Sequence, residues 1–165
     1  MSKAIPAVGS VAPDFTLPAT GESSEIQLSS LRGAPVIVYF YPKDSTPGCT
    51  TQACDFRDSI QRWSAAGIQV LGISPDSLAS HERFSAKQEL NFPLLVDEGA
   101  KVSDAWGVWQ LKKNFGREYM GIVRTTFLLD AEGVVRRVWE KVRVKGHVEE
   151  VLQAAEALKN GTLDS

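Results

Sequence analysis

The sequence predicts an α/β fold: a mixed central sheet with helices on both faces and an N-terminal β-hairpin. Three observations carry this. Val36–Tyr41 is a continuous apolar run, which reads as a strand buried on both faces. Gln69–Ser74 reads as a second buried strand, and a stretch of helical spacing follows each of the two. The elements run ββα, βα, βα, ββα, an alternation that builds a sheet covered by helices.

In chain order, Phe15–Pro18 and Glu25–Leu28 flank the turn Thr20–Ser24 and are expected to form the hairpin. Ser29–Gly33 reads as a brief helical turn closed by glycine. A first long helix is expected over Thr50–Ala66, with Ala53, Phe56, Ile60 and Trp63 on its apolar stripe and Gly67 at its end. A second helix starts at Ser77 or Ser80 and runs to about Leu90. Phe92–Val96, with Pro93 near its start, suits a short edge strand. Asp97–Gly99 is a turn and Lys101–Trp106 a short helix. Gln110–Gly121 is mixed, has no clean period and is expected to be a loop. Arg124–Asp130 and Val134–Trp139 make a hairpin about Ala131–Gly133, and Val148–Leu158 closes the chain as a helix.

Between the first buried strand and the first helix lies Pro42–Cys54, P-K-D-S-T-P-G-C-T-T-Q-A-C, which holds both cysteines. Thr46 is a good N-cap and Pro47 suits the first helical position, so Gly48 and Cys49 become second and third. A thiol there faces unpaired N–H groups and the positive end of the helix dipole, and both favour thiolate over thiol. On an intact helix, residues five apart have α-carbons about 8–9 Å from one another. A disulfide needs them within roughly 7 Å. Cys49 and Cys54 therefore cannot be bonded while the helix is regular. The loop they would close is too short to restrict the unfolded chain much, so a transient redox bond fits better than a staple.

The segment P-x-x-x-T-P-x-C-T resembles the active-site signature of peroxiredoxins. Ala53-Cys54 resembles the atypical two-cysteine branch, the bacterioferritin comigratory or Q-type proteins. The resemblance continues through Gly72–Asp76, Asn91–Asp97, Gly107–Trp109 and Arg124–Asp130 in the family's order. It implies a thioredoxin-like fold and a thiol peroxidase acting on hydrogen peroxide and organic hydroperoxides, with no cofactor. It implies that Cys49 is the nucleophile, oxidised to a sulfenic acid, and that Cys54 resolves it as an intramolecular disulfide after local unwinding. Arg124 would stand beside the thiolate and the peroxide. Pro42 would shield the site from water, and Thr46 would lend its hydroxyl. Substrate would be met by Thr46, Gly48, Cys49 and Arg124, the N–H groups of Gly48 and Cys49 facing the leaving oxygen. Thioredoxin or a similar dithiol would reopen the disulfide.

The 165 residues suit one domain with a sizeable core. At 43% apolar, 23% charged and a net charge of -2, without blocks of like charge, nothing points to nucleic acid or an anionic membrane. Met1–Pro6 lacks a long apolar run, so the expected address is cytoplasmic. Two cysteines and two distant histidines fall short of a zinc set, and no metal is expected. The chain is expected to act as a monomer.

Read without the resemblance, each residue has a plainer role. Cys54 could be a small buried hydrophobe, Arg124 a surface arginine, Pro42 a strand terminator and Thr46 only a cap. His81 and His147 sit among polar residues and are expected to be solvated or capping. Trp106, Trp109 and Trp139 are expected to be packing anchors, and Lys112-Lys113 and Arg136-Arg137 solvated surface. Two other functions stay open at this point. One is a disulfide oxidoreductase of the same fold, though C-x-x-x-x-C stretches its usual C-x-x-C. The other is a thiol sensor or metal chaperone without turnover.

Overall fold

The computed structural model of the protein describes residues 4–65 and 67–163. The chain opens with an antiparallel pair, β1 (Thr16–Pro18) and β2 (Glu25–Gln27), then a 3-10 turn at Leu28–Leu31. Next come β3 (Val36–Phe40), α1 (Pro47–Asp58), α2 (Ile60–Ala65), β4 (Gln69–Ser74), α3 (Leu78–Lys87) and β5 (Leu94–Val96). After a second 3-10 turn follow α4 (Lys101–Ala105), β6 (Trp109–Asn114), β7 (Arg117–Ile122), β8 (Thr125–Leu129), β9 (Val135–Trp139) and α5 (His147–Lys159).

The central sheet is five-stranded and mixed, in the order β5-β4-β3-β8-β9. β3, β4 and β5 run parallel, while β8 and β9 are antiparallel to their neighbours. The middle strand shows why the fold is two layers on a sheet. Its side chains alternate between faces, and every residue is buried. Val36, Val38 and Phe40 join one apolar cluster, with Phe15, Leu17, Trp106, Val108 and Phe127. Ile37 and Tyr39 join the other, with Tyr41, Cys49, Phe56, Trp63, Phe84 and Leu152. One face is thus covered by α1, α2, α3 and α5. The other is covered by the N-terminal hairpin, α4 and the chain after it. Trp106 anchors that second layer, and Trp109 and Trp139 pack at the margins of the two clusters.

Three expectations need correction. The single long helix over Thr50–Ala66 is two helices: α1 ends at Asp58, Ser59 caps it, and α2 starts at Ile60. The expected loop Gln110–Gly121 is the hairpin β6–β7, turning at Phe115 (φ 52) and Gly116 (φ 77). Two positive φ values in a two-residue turn match the twist of paired strands, and glycine accepts one of them without strain. Most of the hairpin is exposed on both faces, so no apolar alternation marks it in the sequence. Lys112 and the Arg136-Arg137 pair are half-buried rather than fully solvated. The Lys112 ammonium donates to the Ile122 carbonyl, and Arg136 lies 3.6 Å from Asp130.

Among the described residues, no helix is long and apolar enough to cross a membrane.

Candidate active site around Cys49

The pairing of β3 with β8 builds this site. Phe40 sits opposite Thr125, so the chain leaving β3 emerges beside Arg124, one residue before β8. That chain passes the half-buried Pro42, loops through Asp44–Thr46 and enters α1 with Pro47 as its first residue. Thr46 is extended (φ -78, ψ 155), as an N-cap should be. Its side chain, however, makes no capping bond. The hydroxyl donates instead to the Lys43 carbonyl at 3.0 Å and closes the loop on itself.

Cys49 is the third helical residue and 2% exposed. The N–H groups of Gly48 and Cys49 lie in the first turn, where the helix has no carbonyl to offer them. The Arg124 guanidinium donates through Nη2 to the Cys49 sulfur at 3.2 Å and through Nη1 to the Gln52 Oε1 at 2.6 Å. Gln52 lies three residues after Cys49, so both face the same side of α1, and one planar fork spans them. A cation seventy-five residues away in the chain is thereby set against the sulfur. Gly48 makes room for it: a β-carbon there would stand 3.2 Å from Nη2. The structure thus brings together Thr46, Gly48, Cys49 and Arg124, with Pro42 at the loop's entrance.

Cys54 lies on the same helix, half-buried, and both thiols are free. This agrees with the expectation that an intact helix holds them too far apart to bond. Cys54 donates to the Gln88 Oε1 at 3.5 Å, and its neighbour Arg57 donates to the Gln88 carbonyl at 2.6 Å.

Both histidines correct the sequence reading. His81 is fully buried. Its Nδ1 meets Asp44 Oδ2 at 2.7 Å and its Nε2 meets the Leu95 carbonyl at 2.8 Å. A carbonyl can only accept, so Nε2 donates to Leu95. Asp44 also accepts from Tyr41 Oη at 2.6 Å and Ser80 Oγ at 2.8 Å, while its backbone N–H donates to Asp76 at 2.7 Å. Burial pushes the Asp44 carboxyl up. The hydrogen bonds from His81 and Tyr41 and the charge of His81 outweigh that and hold it below the usual range. Ser45, next in the chain, is left-handed at φ 64. The buried anchor at Asp44 thus holds the turn that delivers Thr46 and Pro47. His147, also buried, bonds Thr126 Oγ1 at 2.9 Å. Its pKa falls to about 4, chiefly through burial, with Arg124 adding to the effect against Glu150.

Asp44, Asp76 and His81 are the described side chains that come together as metal ligands could, with ligand atoms within 4.8 Å of one another. Each is engaged by the protein hydrogen bonds above, and Asp76 also by Ser74 at 2.8 Å.

The sequence reading missed Gln52 and the Asp44–His81 pair. His81 and Phe84, three apart on α3, share its buried stripe, and Gln52 adjoins the buried Ala53 and Phe56 on α1. A polar residue on an apolar stripe is the signal that could have found both.

Residues 8–138 match the AhpC/TSA family. The peroxiredoxin Bcp of Bacillus subtilis is 51% identical over 147 residues, covering 88% of this chain and 92% of the relative. Among solved structures, a peroxiredoxin Q of Xanthomonas campestris superposes with a TM-score of 0.83 at 41% identity, covering 88% of this chain and 91% of its own. A bacterioferritin comigratory protein of the same organism, solved as a trapped intermediate/ligand complex bearing on its alkyl peroxide reduction activity, gives 0.85 at 39% identity. It covers 95% of this chain and 99% of its own.

Proposed function

Since the chain belongs to the AhpC/TSA family, among the peroxiredoxins of the Bcp/Q branch, and is a thiol peroxidase, we propose that Cys49 is the thiolate that attacks the peroxide. The observation that carries this is the Arg124 guanidinium donating to a buried sulfur at a helix N-terminus, 3.2 Å away. The guanidinium holds the sulfur in place and still has donors for a peroxide oxygen. The thiolate attacks one oxygen of the O–O bond. The S–O bond forms, the O–O bond breaks, and the leaving oxygen departs as water or alcohol once protonated. Cys49 is left as a sulfenic acid, two electrons more oxidised. Charge on the leaving oxygen is met by Arg124 and by the first-turn N–H groups of Gly48 and Cys49. Thr46 supplies a hydroxyl at the mouth of the helix, and Pro42 keeps water from the loop's entrance.

Cys54 is the resolving residue. Its thiolate attacks the sulfenic sulfur, the S–S bond forms, and the hydroxyl leaves as water with the proton Cys54 gave up. This step needs α1 to unwind. A dithiol of the thioredoxin type then takes over the disulfide by exchange and is itself oxidised. The substrates are hydrogen peroxide and organic hydroperoxides. That reading draws on the alkyl peroxide reduction studied in the Xanthomonas campestris relative.

Cysteine variants test the assignment together. Cys49→Ser should consume no peroxide. Cys54→Ser should consume one equivalent, stop at the sulfenic acid and over-oxidise readily. Full turnover by Cys49→Ser would remove the nucleophile. Full turnover by Cys54→Ser with thioredoxin would place the resolving thiol on another molecule.

A further inference from the structure

Resolution by Cys54 requires α1 to open, and three hydrogen bonds hold its second half shut. All three run to the short segment that ends α3. Cys54 Sγ donates to the Gln88 side-chain oxygen at 3.5 Å. Arg57 Nη1 donates to the Gln88 carbonyl at 2.6 Å. Asn91 Nδ2 donates to the Arg57 carbonyl at 3.2 Å. The Arg57 fork is aimed by Asp58, whose Oδ1 accepts from Nε at 2.9 Å. Gln88 is itself fixed as the residue closing α3, its N–H bonded to the Phe84 carbonyl at 3.0 Å. At the far side of the same half-helix, α1 ends at Asp58 with Ser59 as its cap, and a separate helix begins at Ile60. Unwinding that starts at Pro47 therefore meets a built-in end before α2, and α1 can open without carrying α2 along.

We propose that Arg57, Gln88 and Asn91 form a latch that sets the rate at which Cys54 reaches oxidised Cys49. They are positioning residues for the resolving step and touch neither the peroxide nor Cys49. In the closed state the latch holds the Cys54 thiol against Gln88, away from the sulfenic sulfur. In the open state Arg57 and Cys54 leave Gln88 together, Cys54 attacks, the S–S bond forms and water departs. The latch therefore governs a partition. While it is shut, the sulfenic acid stays exposed to a second peroxide and to over-oxidation.

The inference rests on the assignment of Cys54 as the resolving residue, and the experiment separates the two. Peptide mapping of wild-type protein after one equivalent of peroxide should give the Cys49–Cys54 disulfide; its absence would overturn both. With that bond mapped, rapid mixing and thiol trapping time two steps, sulfenic acid formation and disulfide formation. Arg57→Ala removes a hydrogen bond to a charged group and should speed disulfide formation about ten-fold. The double variant Gln88→Ala/Asn91→Ala should speed it less, by about three- to ten-fold. Sulfenic acid formation should be unchanged in both. The peroxide concentration needed to over-oxidise Cys49 should rise by the same factor as the resolution rate. A merely structural role would lower the unfolding midpoint without splitting the two steps. Unchanged resolution in both proteins would overturn the latch. So would slower resolution in Arg57→Ala with no change in the double variant, which would assign the guanidinium to activating Cys54.

Discussion

Replacing Arg124 by alanine removes the one contact on which the nucleophile's environment most depends. Two effects compete. The first is the lost hydrogen bond from Nη2 to the Cys49 sulfur at 3.2 Å. A hydrogen bond to a charged partner contributes about 1.5–3 kcal/mol, which is about 10- to 150-fold in rate where the transition state depends on it. The second is a fold effect. Gln52 Oε1 loses the donor it holds at 2.6 Å, and Gln52 Nε2 is already buried without a partner among the described residues. Leaving such a group unsatisfied costs about 1–3 kcal/mol, small enough for the fold to persist. The loss should therefore appear in the second-order rate of peroxide consumption, measured by stopped flow, and not in the fraction folded. Arg124→Lys keeps the charge but not the fork, and should fall between. Gln52→Ala should lose part of the rate by untethering the guanidinium. The double variant Arg124→Ala/Gln52→Ala should be no slower than Arg124→Ala alone, because the two act through one contact. An Arg124→Ala protein within about two-fold of the wild-type rate, well below the loss expected from that bond, would refute the reasoning.

Gly48→Ala puts a β-carbon 3.2 Å from Arg124 Nη2 and pushes the guanidinium off by a few tenths of an ångström. Peroxide oxidation should slow several-fold while the unfolding midpoint holds or rises, since alanine favours the helix. A fall in both would mean that the glycine is needed for folding and not for the cation. His147 is buried neutral, its pKa lowered from 6.5 to about 4. The unfolded chain therefore binds a proton that the folded one refuses. Stability from this group is full above about pH 6.5 and is lost progressively down to about pH 4. Urea midpoints across that window should fall with pH in the wild type and flatten in His147→Gln; parallel curves would remove the assignment.

Legibility followed how a residue's surroundings are written along the chain. The middle strand could be read because burial on both faces leaves Val36–Phe40 without a polar break. The register of α1 could be read because Thr46 and Pro47 mark a helix start by local backbone preference alone. The β6–β7 hairpin could not, because Lys112, Lys113, Arg117 and Glu118 decorate strands with little core to alternate against. The break at Ser59 was hidden because apolar spacing runs on from Phe56 to Trp63, both fully buried. The Asp44–His81 anchor depends on which strands pair, since thirty-seven residues separate its members. Arg124 reached the site through resemblance. Its own neighbourhood in the sequence reads as a strand-end arginine, and only the register of Phe40 against Thr125 sets it beside α1.

The two halves of α1 face opposite demands, and the structure meets them with different interactions. The first turn must be rigid, because a peroxide oxygen has to find Arg124 and two N–H groups already aimed. It is fixed by a buried anchor at Asp44, a proline at the first position and a guanidinium tied to Gln52. The second half must let go within the life of a sulfenic acid. It is held at its outer face by bonds around Arg57, which is 28% exposed, and at its inner face by Phe56, fully buried. Phe56 stacks on Tyr39 at 4.7 Å and would be the dearest part to withdraw. Opening that frees Cys54 while Phe56 stays seated is thus the least costly route. It requires the residues between Pro47 and Asp55 to unwind and the Arg57 side chain to let go of Gln88, with the ring remaining as a pivot. Hydrogen exchange should then show the amides of Gly48–Asp55 exposed in the disulfide form, with those beyond Phe56 still protected. Exchange spreading through α2 would mean that the whole helical layer gives way instead.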